Sequence, residues 1–274
     1  MTANAPAIAG IGSVTPYGVF AGPIVLGPLE PRPITAWPVA GVRRAYLVEP
    51  FRATDVVPGL KTRRLDRLSV WSLVAASLAV KDTGLDLGQV DRSRVAVVFA
   101  TGLGCIELTE AFFRSAANHG WQGTDPILFP ETLGNAPASH VARCLDLRGP
   151  NITVGSKGRA AECALLHAAS LLRHGQADLA LVLAGDTLTR TSYEWYESAG
   201  WLADDSGFIP SEGVTAVVLT AERTAHSYAT LSPGQFASSP EPVSRGLGDA
   251  GGLLRLVLSL SPVKGPASLP TELP

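Results

Sequence analysis

Cysteine is scarce in this 274-residue chain. Its three residues, Cys105, Cys144 and Cys163, form no CxxC pair. An odd count without paired spacing excludes a disulfide framework and points to a reducing compartment. Charge is scarce too. Asp, Glu, Lys and Arg make up 17% of the residues, against roughly 25% in an average soluble domain, so part of an apolar surface is expected to be covered by a partner. The balance of 22 basic against 24 acidic residues leaves a net charge of -2, which gives no electrostatic footing for nucleic acid or an anionic membrane. No apolar run reaches the ~18 residues of a membrane span. The opening MTANAPAIAGIGSVTPYG lacks the basic and then apolar segments of a signal peptide. Neither GLG (102–104) nor GSKG (155–158) meets the P-loop or GxGxxG spacing, so no phosphate cradle is read. These exclusions leave a cytoplasmic globular protein, 46% hydrophobic and long enough to bury a core.

What is present is an alternation of apolar strands and helices. AIAGIGSVTPYG (Ala7–Gly18) reads as a buried strand entering a Gly/Pro turn. Residues 20–60, rich in Pro and Gly, read as irregular excursions. Leu65, Leu68, Val70, Leu73, Val74 and Leu78 recur at helical spacing and predict a helix over Arg63–Gly84, with Gly84 as its stop. RVAVVFATGLG predicts a strand and a glycine turn, followed by helices about Cys105–His119 and over NAPASHVARCLDL. NITVGS predicts a buried strand, RAAECALLHAASLLRHG a helix closed by Gly175, and ADLALVLAGD a further strand. GFIPSEGVTAVVLTAE completes the series as a turn and strand. Such alternation argues an α/β sheet covered on both faces. After Glu222 the pattern gives way to a loop, one helix over LGDAGGLLRLVLSL and a Pro-rich tail. Residues 1–222 are therefore expected to form the main domain and residues 223–274 a lesser remainder.

The segment GPNITVGSKGRAAECALL (Gly149–Leu166) carries the chemical question. A strand running through a tight turn into a helix is where a nucleophile is presented, yet the tip is Gly158. Cys163 lies more than one helical turn further on, among alanines, where a free cysteine is usually core filling. Cys105, after the turn ATGLG, is a candidate for exposure, but no histidine neighbours it in sequence. Ser156 sits in the tight turn without an evident base. Cys163 and His167, at i and i+4, have the spacing of two metal ligands but lack a third. Lys157 and Arg159 flank Gly158, to plug the vacant pocket, to grip a phosphopantetheine or a partner carboxylate, or to cap the turn and face solvent.

Five segments in order resemble the β-ketoacyl synthases of the thiolase fold. AIAGIGSVTPYG is similar to the family's opening strand, and RRLDRLSVWSLVAASLAVKDTGLD to its first long helix. LRGPNITVGSKGRAAE is similar to the nucleophile segment, GFIPSEG to the GF-x-x-GEG turn, and SRGLGDAGGLLRLVLSL to the G-H-T-L-G-A-A-G helix start. The resemblance implies a layered α/β/α fold with its first half complete and its second half largely missing. It also implies a cysteine where Gly158 stands and a histidine where Arg245 stands, so no catalytic residue and no condensation by this chain alone. Glycine also differs from the glutamine of the family's decarboxylase variant. His140 falls where the family often has a structural histidine, so the resemblance implies core hydrogen bonding for it. The relatives that fit are chain-length-factor subunits of type II polyketide synthases, with shortened forms in polyene and aryl polyene systems.

By that resemblance the chain pairs with an active ketosynthase and meets acyl carrier protein transiently, without cofactor, metal, nucleic acid or membrane. Asn151, Ile152, Thr153 and Val154 would form the partner interface. Phe129, Thr132, Leu133, Gly134 and Ala136 would face the acyl tunnel. The alternatives are a diverged acyltransferase or hydrolase using Cys105, Cys163 or Ser156, or a carrier-protein binding module.

Overall fold

The computed structural model describes residues 5–24, 28–38, 43–156, 158–202, 208–224 and 226–231. Lys157, Arg245 and the helix expected over residues 247–260 lie outside the described residues. The central sheet runs in the order β2 (Gly18–Ala21), β1 (Ala7–Thr15), β8 (Gly213–Thr220), β7 (Leu179–Asp186), β5 (Val95–Thr101) and β6 (Asn151–Gly155), and β9 (Ala229–Thr230) adds to β1. β5 pairs in parallel with both β6 and β7, whereas β8 lies antiparallel to β7 and β1. A separate pair joins β3 (Arg32–Pro33) to β4 (Arg44–Ala45), and α1 (Ala53–Val56) is a single turn. The described part of residues 20–60 is thus largely irregular, as expected.

Helices cover both faces of the sheet, so its inner strands are buried almost throughout and mostly apolar. Val97 and Phe99 of β5 and Leu181 and Leu183 of β7 face α2 (Arg67–Thr83) and α4 (Ala136–Cys144), among Leu68, Val74, Ala138 and Val141. The alternate residues Val98, Ala100, Val182 and Ala184 face α5 (Ala160–Arg173), among Ala164, Leu165 and Ala168. Each fully buried Leu or Phe here contributes roughly 1.5–3 kcal/mol of apolar burial. α2 lies directly on β1 because Gly10 and Gly12 carry no side chain. A Cβ on Gly12 would meet the Ala75 carbonyl at 2.2 Å, and one on Gly10 the Ala79 carbonyl at 2.3 Å.

The structure departs from the periodicity at three points. α2 begins at Arg67 rather than Arg63 because Arg64 takes φ 66° and Asp66 caps the helix, accepting from Leu68 N at 2.8 Å. It ends as expected at Gly84, in the left-handed conformation. The expected buried strand NITVGS is β6, an edge strand bonded to β5 alone among the described residues, with Asn151 and Gly155 exposed. Sequence reasoning missed α6 (Arg190–Ser198), which starts at a reciprocal capping box between Thr189 and Ser192. Tyr193 and Tyr196 of that helix close a satellite cluster with Trp37, Trp201 and Phe208. No helix among the described residues is long and apolar enough to cross a membrane.

Candidate functional site

β5, β6 and β7 end side by side, and the loops that follow them build the site. Asp186, the last residue of β7, accepts from Thr101 Oγ1 at 2.6 Å and from the N–H groups of Gly102 and Leu103 at 3.1 and 2.9 Å. One buried carboxylate thereby shapes the loop from β5 into α3 (Ile106–His119). Gly104 closes that loop at φ 66°, and a Cβ there would lie 3.3 Å from Gly134 Cα. The loop and the turn before α4 are therefore in contact.

The β6–α5 turn places Gly158 just ahead of the helix, at φ 91°. That is backbone glycine adopts freely and other residues adopt at a cost. The exposed Arg159 is the N-cap residue of α5, and Ala160, Ala161 and Glu162 form its first turn. Positive helix-terminal field is present here, but position 158 has no side chain to receive an acyl group.

The substitute nucleophiles are dispersed. Cys105 was a candidate for exposure; the structure buries it at 1% exposure, with Ser69 Oγ 4.0 Å from its sulfur. Burial, with the Asp66 and Glu131 carboxylates adding to it, pushes the thiol up to about 12. At neutral pH about one molecule in 10^5 then carries the thiolate. Cys163 is half-buried rather than fully packed, one turn into α5, with its N–H donating to Arg159 O at 3.1 Å. His167 beside it is exposed, and among the described residues no group of three or more His, Cys, Asp or Glu forms a metal site. Ser156 is half-buried at the end of β6. His140 is buried, as expected, and both ring nitrogens are engaged. Nε2 donates to Glu131, 2.7 and 2.9 Å from its two oxygens, and Nδ1 accepts from Arg143 Nη2 at 2.8 Å.

The expected tunnel segment forms a 3-10 turn, Phe129–Thr132, followed by Leu133 and Gly134. Phe129 and Leu133 are exposed, Thr132 is half-buried, and Gly134 has open space where a side chain would point. Ala136 is buried as the first residue of α4. Phe113, Ile127 and Trp121 are exposed as well, the last at 69%. Ring contacts link Trp121 to Phe113, Phe113 to Phe112, and Phe112 to Phe129.

The GFIPSEG turn has a structural role that sequence reasoning did not assign. Buried Glu212 accepts from the N–H groups of Val48 and Leu188, each at 3.2 Å, and pairs with Arg67 at 3.2 Å. Arg67 also donates to Leu188 O at 2.9 Å and lies over the Trp71 ring at 5.0 Å. Burial raises the Glu212 carboxyl, and Arg67 opposes that shift. A charged residue within an otherwise apolar turn-and-strand segment was the available signal.

Comparison with known proteins agrees with this geometry. The chain is 26% identical over 194 residues to 3-oxoacyl-[acyl-carrier-protein] synthase 2 of Vibrio cholerae, covering 65% of this chain and 47% of that protein. The Vibrio harveyi enzyme of the same name is 29% identical over 143 residues, 52% of this chain and 34% of that protein. The chain thus spans about half or less of these curated relatives. Among solved structures, the ishigamide ketosynthase/chain length factor superposes with a TM-score of 0.65 at 22% identity, over 79% of this chain and 62% of that one. A ketosynthase in complex with its chain length factor from Xenorhabdus doucetiae gives 0.63 at 18% identity, over 81% and 59%. These likenesses establish the thiolase-like α/β fold of ketosynthases. The family of the β-ketoacyl synthase N-terminal domain matches residues 29–225, most of the chain, and it is to this family that the chain belongs.

Proposed function

We propose that this chain is a non-condensing, chain-length-factor-type subunit that pairs with an active β-ketoacyl synthase and shapes the tunnel for its growing acyl chain. The pathway is of the type II polyketide or polyene kind. The observation that carries the reading is Gly158, which stands just ahead of α5 at the position that the resemblance matches to the cysteine of active relatives. An acyl group needs a nucleophile at that position, and glycine has none. The remaining thiols do not supply one in the same place. Cys105 is buried and held protonated, and Cys163 lies one turn into the helix.

Two features support pairing. β6 leaves one edge unpaired among the described residues, and an unpaired edge is a template for another strand. The apolar patch around Trp121 and Phe129 is of the kind covered in permanent complexes. Asn151–Val154 would line the interface, and Phe129–Ala136 would lean toward the partner's tunnel. Acyl carrier protein would reach the complex transiently, and Lys157 and Arg159 are candidates for its phosphopantetheine. Both solved relatives described above are pairs of a ketosynthase and a chain length factor.

The test is intact mass of the isolated chain after incubation with acyl- and malonyl-carrier protein, together with co-purification with the ketosynthase encoded nearby. The expected result is no adduct and a stoichiometric complex. An acyl adduct that maps to one residue and disappears on its substitution would favour the diverged acyltransferase.

A further inference from the structure

The turn that carries Phe129 and Leu133 has few ties of its own. It is only four residues long, Asn135 at the start of α4 makes no side-chain cap, and Gly134 has open space where a side chain would point. Besides the approach of Gly104 to Gly134, two contacts among the described residues hold it. Thr109 Oγ1 of α3 donates to Thr132 O at 3.1 Å, and Phe129 rests on Phe112 at a ring distance of 5.8 Å. A third contact is of a different kind. His140 projects from α4 and donates through Nε2 to the Glu131 carboxylate in the middle of the turn, 2.7 Å from its nearer oxygen.

The side chains of His140 and Glu131 are 9% and 14% exposed, so water competes poorly for this bond. Arg143 fixes the imidazole from the other side. Its guanidinium donates to Nδ1 at 2.8 Å, which leaves the neutral ring's single proton on Nε2, aimed at Glu131. The arrangement Arg143–His140–Glu131 is a directed chain of hydrogen bonds from a helix into a short turn. Burial and a charged acceptor make its last link a strong one.

We propose that His140 is a positioning residue. Held in one tautomer by Arg143, it pins Glu131 and so fixes the direction in which the turn presents Phe129 and Leu133. The consequence for product length rests on the proposed function, in which this turn faces the acyl tunnel. Loosening the pin would then broaden the product lengths without reducing the number of chains made, because neither residue touches a reacting group.

The variants are His140→Phe, which keeps a ring without the donor, Glu131→Ala, and the conservative His140→Gln, whose amide can still donate to Glu131. Amide exchange is read in the isolated chain over residues 128–136, and product lengths and total turnover in the complex with the ketosynthase. Loss of a buried, charge-assisted bond should speed exchange in the segment by about tenfold or more, with β5 and β7 unaffected and His140→Gln close to wild type. Unchanged exchange in both His140→Phe and Glu131→Ala would overturn the proposal, whatever the products. Faster exchange with broadened product lengths supports it and the tunnel assignment together. Faster exchange with wild-type lengths in a normally assembled complex supports the pinning and instead refutes the placement of this turn at the tunnel.

Discussion

Thr153→Pro separates pairing from folding, and the register of β6 says why. Val97 N–H donates to Pro150 O at 2.8 Å, and Val97 lies opposite Asn151. In a parallel ladder the N–H groups of successive residues point to alternate sides. Those of Ile152 and Val154 therefore face β5, and those of Asn151, Thr153 and Gly155 face the open edge. Proline at 153 removes an N–H that β5 does not use, and an edge strand tolerates it there. Across a strand-to-strand interface the same change removes one hydrogen bond, worth about 0.5–1.5 kcal/mol net, and strands the opposing carbonyl at about 1–3 kcal/mol. A total of about 1.5–4.5 kcal/mol corresponds to roughly 10- to 2000-fold weaker association. Ile152→Pro is the control, since it strands a carbonyl within the subunit and should lower its melting temperature. The assay is titration of the ketosynthase with each variant, alongside thermal melts of the isolated chains. Thr153→Pro should melt within a few degrees of wild type and bind at least about tenfold more weakly. Wild-type affinity would refute edge pairing, and equal melting losses in the two variants would refute the register argument.

Gly158→Cys should melt lower by the equivalent of about 1–3 kcal/mol, because a side chain at φ 91° is strained. It should alkylate at the new thiol yet show no malonyl decarboxylation above wild type, a result that detectable decarboxylation would reverse. Native alkylation near pH 8 should reach exposed Cys144 first and half-buried Cys163 next, leaving Cys105 untouched until unfolding. Peptide mapping that found Cys105 modified first would contradict its burial. Gly134→Phe should preserve the fold and shorten the products of the complex, since a side chain at that position would point into open space. Ala136→Phe, at a buried site, should instead destabilise the subunit by about 1–3 kcal/mol; similar melting of the two variants would undo this distinction.

Which of these features the sequence could reveal follows from the range of the interactions that create them. Strands β1, β5, β7 and β8 and helices α2 and α5 bury continuous or periodic apolar faces, so their signal lies within a dozen residues. Gly84 and Gly175 stop their helices by local backbone geometry alone. β6 defeated the same reading. NITV is apolar and β-branched enough for a central strand, and only the assembled order puts it at the edge, because β5 already pairs with β7 on its other side. α6 was missed because Arg190–Ser198 is polar around most of its surface, and its start depends on a threonine–serine capping pair that composition does not advertise.

The same division runs through the site. The glycine at 158 was legible because one absent side chain settles what cannot be acylated there. The environment of the Cys105 thiol was not, since it includes Asp66 and Ser69, more than thirty residues earlier in the chain. Nor was the Glu131–His140 contact, which joins two residues nine apart across a turn. Loss of chemistry is local and can be read in sequence; a surface suited to a partner depends on distant segments meeting. For a subunit whose proposed role is to shape another protein's tunnel, the informative residues are therefore those that hold the 129–134 turn and the β6 edge in place, rather than those nearest Gly158.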